Sequence, residues 1–113
     1  MSDQTTTVAE LRELMRTFVD ERNWRIHHAP KNLAMSLAIE AGELMEHFQW
    51  CDVETSRAMR DDPGKVRDIG EELSDVVCYA LALANALNLD LSDALRAKML
   101  KNAIKYPKPE TTG

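Results

Sequence analysis

Two pairs of carboxylates in this sequence are spaced so that each pair would share one face of a helix. Glu40 and Glu43 form the first pair, and Glu72 and Asp75 form the second. Both pairs lie in apolar runs that predict buried helices, on which residues three apart are neighbours. If the two helices pack together, four carboxylates meet, and their repulsion and desolvation must be offset. A hard cation, Mg²⁺ or Mn²⁺, is the predicted counter-charge, since no His or Cys joins the set at matching spacing.

Other polar and aromatic side chains could extend this chemistry towards a nucleotide. The candidates are Trp24, Trp50, Tyr79, Lys98, Asn102 and Tyr106. A cation such as Lys98 can contact phosphate as a point charge, and an indole such as Trp24 or Trp50 can stack on a flat ring. Taken singly, each candidate would be interpreted as a core or surface residue. Only their combination favours a site that binds phosphate through a metal at one end and a base at the other.

Four long helices are predicted to position these residues. A capping box at Thr7 and Glu10 begins the first helix, and Asp-Pro and Asp signals begin the third and fourth. The predicted spans are Val8 to about Asn23, about Asn32 to Trp50, Pro63 to about Asn88, and Asp90 to about Lys105, with a short helix over Glu54 to Arg60. Short links between helices predict an all-α protein, either a four-helix bundle or half of a larger intertwined one.

Length and composition limit the class of protein. The 113 residues predict a single domain over residues 1–113, with residues 1–6 and 108–113 as disordered tails. A net charge of −5 without a basic stripe argues against nucleic acid as a partner. The longest apolar stretch, Val76 to Leu87, is too short to span a bilayer. A polar N-terminus without a signal peptide, and two cysteines expected to be reduced, predict a cytoplasmic protein.

The motifs together resemble the MazG-type, all-α nucleoside triphosphate pyrophosphohydrolases, and most closely the dCTP pyrophosphatase branch. That family is marked by ExxE, a spacer and ExxD, as at Glu40–Glu43 and Glu72–Asp75. Other segments are similar in the same order: Glu21–Trp24, His28–Leu33, Phe48–Trp50, Lys98–Met99, Asn102 and Tyr106–Pro107. The resemblance extends from about Val8 to Pro107, so it covers nearly the whole chain.

The resemblance implies a reaction and a set of roles. The reaction is (d)NTP + H₂O → (d)NMP + pyrophosphate, by attack at the α-phosphorus, in nucleotide-pool house-cleaning. The implied Mg²⁺ ligands and catalytic residues are Glu40, Glu43, Glu72 and Asp75, with Glu43 as the candidate base. The implied substrate contacts are Trp24 and Trp50 at the base, Tyr79, Lys98, Asn102 and Tyr106 at the sugar and phosphates, and His28 and Asn32 near the entrance. The family assembles as dimers or tetramers, with sites at subunit contacts.

The chain departs from the family in two places that bear on the substrate. Met15 occupies the position of a His that vertebrate members use at the base end, and the segment between Trp50 and Glu72 differs in composition. We therefore expect dCTP or a modified dCTP, with dUTP or a broad range of NTPs as the alternative. A non-catalytic helical interaction module is a further alternative. A di-iron bundle is disfavoured, because it needs Glu-x-x-His and the nearest pair, Glu43 and His47, is spaced i, i+4.

Overall fold

The computed structural model describes residues 1–110, and all regular structure in that range is helical. The α-helices are α1 (Val8–Glu21), α2 (Pro30–Glu46), α3 (Val53–Ala58), α4 (Pro63–Ala86) and α5 (Leu91–Lys105). Single 3₁₀ turns cover Arg25–His27 and Met59–Asp61. The predicted all-α class is confirmed, and the four long helices are α1, α2, α4 and α5. No helix of the described range has both the length and the apolar character needed to cross a membrane.

Most of the helices begin at a side-chain cap, as the sequence predicts. The capping box of α1 is formed: Thr7 Oγ1 accepts the Glu10 N–H at 3.1 Å, and the Glu10 carboxylate accepts the Thr7 N–H at 3.3 Å. Aspartates cap three further helices, namely Asp52 for α3, Asp62 for α4 and Asp90 for α5. Helix α2 differs, because it follows Ala29, which has no side-chain cap, and starts with Pro30.

Two asparagines end α1 and α4 slightly earlier than the apolar pattern predicts. Asn23 and Asn88 adopt φ of 55° and 51°, a left-handed conformation that Asn tolerates better than most residues. The chain then folds back, so that the Trp24 N–H donates to the Val19 carbonyl at 3.1 Å. Leu89 makes the equivalent bond after α4, at 2.9 Å. These are Schellman-type ends, which satisfy carbonyl groups of the last helical turn.

Helix α2 ends at Glu46, four residues before the predicted end at Trp50. Beyond it the chain forms successive turns, with the Phe48 N–H donating to the Met45 carbonyl at 2.9 Å and the Cys51 N–H donating to the Phe48 carbonyl at 3.2 Å. The predicted helix thus runs four residues too far, and Trp50 lies beyond the end of α2.

Helix α4 is the central element, and it packs along α2 and against α1. The buried apolar side chains are few: Val19, Leu33, Met59, Leu81, Ala82 and Ala84. A polar link also joins α1 to α4. Arg12 Nε donates to Asn85 Oδ1 at 3.0 Å, and Asn85 Nδ2 donates to the Arg12 carbonyl at 3.1 Å. This pairing explains why Asn85 interrupts the apolar stretch of α4, since both of its polar atoms are satisfied.

Helix α5 lies apart from the rest of the chain and has no extended packing against another described helix. The radius of gyration is 17.4 Å, whereas a compact domain of this length would have about 13 Å. The apolar side chains of α5 are exposed, including Leu95, Met99, Leu100 and Ile104. One chain thus packs three of its four long helices together, and the choice between a four-helix bundle and half of an intertwined one stays a prediction.

The predicted tails stay a prediction. At the N-terminus, the Thr5 N–H donates to the Ser2 carbonyl at 3.1 Å and closes a turn. At the other end, residues 108–110 follow the last helix without regular structure. Residues 111–113, which belong to the predicted C-terminal tail, lie outside the described residues.

Candidate active site

Three of the four predicted carboxylates meet between α2 and α4. Glu40 and Glu43 project from α2 and Glu72 from α4, and one oxygen of each lies within 4.8 Å of the others. Asp75, one turn further along α4, is outside this trio, and its charge raises the pKa of both Glu40 and Glu72. The i, i+3 spacing of the sequence therefore brings three of the four carboxylates to one place.

The carboxylates of this acidic cluster perturb one another. Partial burial raises the pKa of Glu40, and the adjacent Glu43 carboxyl and the charges of Asp75 and Glu72 raise it further. The pKa of Glu72 is raised by partial burial and by Glu43 and Asp75, while the charge of His47 acts in the opposite direction. Within residues 1–110, no Lys or Arg lies at ion-pair distance from these carboxylates. Apart from His47, the cluster therefore has no cationic side chain beside it in the described chain.

Two oxygens of the cluster have no partner. Glu40 Oε2 and Glu72 Oε2 are buried and accept no hydrogen bond in the described residues. A buried carboxylate oxygen without a donor is costly, and a cation coordinated by both oxygens would remove that cost. The donor set, three or four carboxylates, is the kind that Mg²⁺ and Mn²⁺ prefer. The residues present thus fit a divalent metal ion.

A cavity of about 270 Å³ lies next to the cluster along the same two helices. It is lined by Trp24, His27, His28, Asn32, Leu33, Ser36 and Tyr79. Four residues that the family resemblance assigns to substrate, Trp24, His28, Asn32 and Tyr79, are therefore brought together. We call this space the aromatic cavity, after Trp24 and Tyr79.

Local sequence holds Trp24 at the edge of the aromatic cavity. The left-handed Asn23 turns the chain, and the indole of Trp24 meets the ring of Phe18 edge-to-face, with centroids 5.5 Å apart. The Arg22 guanidinium covers Phe18, 3.6 Å from the ring centroid. Trp24 remains 44% exposed. Its ring is thus oriented by neighbours and still open to a ligand.

The loop that follows is tied to the start of α2. Asn32 Nδ2 donates to the His27 carbonyl at 3.2 Å, across the residues that enter the helix. Partial burial lowers the pKa of His28, and the charge of His27 lowers it further. His28 is therefore neutral at neutral pH and offers one donor and one acceptor to the cavity.

The order of residues along α2 and α4 shows how the cluster and the cavity are related. Going along α2, Asn32 and Ser36 line the cavity, and Glu40 follows Ser36 by one turn. Going along α4 in the opposite direction, Tyr79 lines the cavity, and Asp75 and then Glu72 follow. The helices are antiparallel, and each passes from the aromatic cavity to the acidic cluster within about one turn.

Four predicted substrate residues are not brought to this site within one chain. Lys98, Asn102 and Tyr106 are carried by α5, away from the α2–α4 pair. Trp50 is 90% exposed and lies beyond the end of α2. So exposed an indole packs in no core of this single chain, and a contact with another copy stays a prediction.

Two residues near the site, Ser36 and His27, were missed from the sequence. Ser36 and His27 line the aromatic cavity, and the half-buried His47 at the end of α2 acts on Glu72. Ser36 could have been found, because it lies one turn from Asn32 and one turn from Glu40. His27 gave no such signal, since its position depends on the 3₁₀ turn that precedes α2.

A second cavity, of about 510 Å³, lies on the other side of His28. Met15, at which the sequence departs from the vertebrate pattern, is on its wall, together with Arg16 and Arg25. His28 lines both cavities, so Met15 lies near the aromatic cavity.

Comparisons with known proteins place this chain among relatives. The model of the MazG-like family matches residues 35–113. The chain is 39% identical to dCTP pyrophosphatase 1 of Bos taurus over 101 residues, and 41% identical to that of Mus musculus over 102 residues. A crystal structure of a pyrophosphatase from Archaeoglobus fulgidus superimposes with a TM-score of 0.79 at 36% identity, covering 96% of this chain and 99% of that one.

These matches identify the family: the chain belongs to the MazG-like family, and the resemblance stated from its motifs is confirmed. The two mammalian alignments cover 89% of this chain but only 60% and 59% of the relatives. The chain therefore spans about three fifths of the length of these curated relatives.

Proposed function

We propose that this protein is a Mg²⁺-dependent nucleoside triphosphate pyrophosphohydrolase. The observation that carries the proposal is the acidic cluster, with two unpartnered buried oxygens, one helical turn from the aromatic cavity. A nucleotide fits such a site in one direction, with phosphates at the cluster and the base at Trp24. The names of the mammalian and archaeal relatives support the same reaction.

The residues of this chain then have separable tasks. Glu40, Glu43, Glu72 and Asp75 would hold the metal, which supplies charge neutralisation to the phosphate oxygens and lowers the pKa of bound water. Glu43 is the exposed member of the trio, so it is best situated to accept a proton from the attacking water. Trp24 stacks on the base, and neutral His28 and Asn32 offer hydrogen bonds at the cavity wall.

The proposed substrate is dCTP or a modified dCTP. The two mammalian relatives bear the name dCTP pyrophosphatase 1, which supports this base. Met15 near the proposed base end offers only a weakly accepting thioether and no donor, and this supports the alternative of dUTP or several NTPs. Pyrophosphate release from a panel of ribo- and deoxyribonucleotides, compared as kcat/KM, distinguishes the two.

The bond that is broken gives a direct test of the reaction. We expect a nucleoside monophosphate and pyrophosphate, because water should attack the α-phosphorus next to the metal-binding carboxylates. In ¹⁸O-water, the label should appear in the monophosphate, as read by mass spectrometry of both products. Label found only in pyrophosphate, or release of a diphosphate and phosphate, would contradict attack at the α-phosphorus.

Trp24 gives a test of the base end. Stacking of a base on an aromatic side chain contributes about 1–3 kcal/mol, so Trp24→Ala should raise KM about fivefold to 140-fold. Trp24→Phe keeps a flat ring and should recover most of this loss, and kcat should change little in both variants. A normal KM for Trp24→Ala, with the melting temperature alone reduced, would assign Trp24 to packing against Phe18 and not to the substrate.

We also propose that the active form is a homo-oligomer, a dimer or a dimer of dimers. Helix α5 carries three predicted substrate residues but lies apart from its own cluster. Its exposed apolar side chains need cover, since large exposed apolar patches mark interaction sites. A second copy would cover them and bring Lys98, Asn102 and Tyr106 to the site.

Exposed apolar side chains of α2 support the same assembly. They are Met35, Ile39 and Met45. Gly42 lies among them, and a Cβ built on it meets nothing within 4 Å. Glycine weakens a helix by about 0.5–1 kcal/mol relative to Ala. Close packing of another copy against Gly42 would explain why glycine occupies this position.

We propose the following partners and location for the protein. The substrate is a nucleoside triphosphate, and neither nucleic acid nor a membrane is expected as a partner, given the net charge of −5 and the absence of a spanning helix among the described ones. The free thiols of Cys51 and Cys78 support the predicted cytoplasmic location.

A further inference from the structure

Helix α2 carries a continuous polar face between the aromatic cavity and the acidic cluster. Asn32, Ser36 and Glu40 follow one another at intervals of four residues, so each lies one turn beyond the last. Asn32 and Ser36 line the cavity, and Glu40 belongs to the cluster. Ser36 is half-buried in the middle of this face. It is thus the polar group of α2 nearest to the boundary between cavity and cluster.

The hydroxyl of Ser36 is not engaged by the helix. Ser56 and Ser74 donate to backbone carbonyls of their own helices, Val53 and Gly70, each at 2.6 Å. Such back-bonding is the usual use of a serine hydroxyl within a helix. The Ser36 hydroxyl makes no hydrogen bond to any residue of the described range. It is free to donate to and accept from a ligand in the cavity.

Tyr79 of α4 lies opposite Ser36 of α2 in the aromatic cavity. It lines the cavity with Ser36 and lies one turn from Asp75, just as Ser36 lies one turn from Glu40. Two hydroxyl-bearing side chains therefore flank the passage from base end to phosphate end. In a nucleotide bound as described above, the group between base and phosphate is the pentose.

We propose that Ser36 is a specificity-determining residue that hydrogen-bonds the 3′-hydroxyl of the substrate sugar. The inference rests on the proposed nucleotide hydrolysis. The 3′-hydroxyl is the ring hydroxyl that ribo- and deoxyribonucleotides share, so the contact would select intact nucleosides without distinguishing the two series. Ser36 would bind the ground state and the transition state alike, because it lies a full turn from the reacting phosphate.

The test is a pair of substrates on a pair of variants. Ser36→Ala should raise KM for a nucleoside triphosphate that carries a 3′-hydroxyl about two- to twelvefold, the range for one neutral hydrogen bond, with kcat unchanged. Wild type and Ser36→Ala should have equal KM for the matching 2′,3′-dideoxynucleotide. Ser56→Ala, on α3 and remote from the site, serves as the control. Alanine is a good helix former, so the variant should melt like wild type.

The possible results distinguish a failure of the Ser36–sugar contact from a failure of the proposed pyrophosphohydrolase activity. If wild type releases no pyrophosphate from any nucleotide, the proposed function fails and the sugar contact with it. If wild type is active but Ser36→Ala changes KM equally for both substrates, or for neither, only the sugar contact is overturned. A loss in kcat alone would likewise overturn it, because a ground-state contact acts on KM.

Discussion

Replacing Glu72 with Gln is expected to reduce Mg²⁺-dependent pyrophosphate release by more than about a hundredfold. Mutating a residue that only hydrogen-bonds a metal ligand already lowers metal affinity or activity about 10- to 100-fold, and Glu72 is a proposed ligand itself. The same substitution should raise the melting temperature of the metal-free protein. Glu72 has a buried oxygen without a partner and faces Glu43 and Asp75. Removing its charge relieves the repulsion while taking away a metal ligand.

The opposite signs of these two effects distinguish a metal site from an ordinary structural carboxylate. Glu71→Gln is the matched control, because Glu71 is the exposed neighbour on the same helix and lies outside the cluster. It should retain both activity and melting temperature. Mg²⁺ should raise the melting temperature of wild type and of Glu71→Gln by binding the folded state. Full turnover by Glu72→Gln, or an equal Mg²⁺-induced rise in it, would show that the cluster holds no catalytic metal.

The pH dependence of stability follows from the same carboxylates. The pKa values of Glu40 and Glu72 are raised in the folded protein, so the folded state retains protons that the unfolded chain has released. The metal-free protein should therefore lose stability as pH rises from the ordinary carboxyl pKa through the raised values, and stay less stable above them. Melting curves in EDTA across this range measure the loss, which should be smaller in Glu72→Gln.

Helix α5 should control both assembly and activity. Leu100 and Ile104, which is 83% exposed in the single chain, are expected to be covered in the oligomer. Replacing both with Asn should yield a protein with the mass of one chain in light scattering and with little hydrolytic activity. Lys101→Asn, on the same helix, is the control and should keep both properties. A fully active monomer would contradict a site completed by another copy.

Mixing two inactive variants tests the shared site directly. Lys98→Ala should lack the phosphate contact of α5, and Glu72→Gln should lack a metal ligand. If α5 serves the partner's cluster, each mixed dimer contains one intact site. Random exchange between equal amounts would then restore about a quarter of wild-type activity for a symmetric dimer. No recovery after refolding together would mean that α5 serves its own chain.

Local signals predicted much of this fold and site. The i, i+3 carboxylate pairs required only helical geometry and two packed helices to meet, and three of the four carboxylates do. The caps at Thr7, Asp62 and Asp90 are likewise local, since each side chain bonds an amide two or three residues ahead. Such features depend on few neighbours, which is why the sequence alone could predict them.

Long-range features were harder to predict. The end of α2 at Glu46 has no Gly or Pro to announce it, so Trp50 was predicted to lie on the helix. The separation of α5 from the other helices depends on what covers its apolar residues, and no pattern within one chain reveals that. Ser36 was overlooked because a serine in a helix is unremarkable until the cavity beside it is seen.

The missing side-chain cap of α2 has a consequence for how the site moves. Pro30 supplies no N–H, and the amides of Lys31 and Asn32 receive no bond from a capping side chain at Ala29. This first turn should therefore open more readily than those of α1 and α4, and exchange its amide hydrogens faster. Asn32 belongs to this turn and also lines the aromatic cavity. A ligand bound in the cavity should therefore order the first turn of α2.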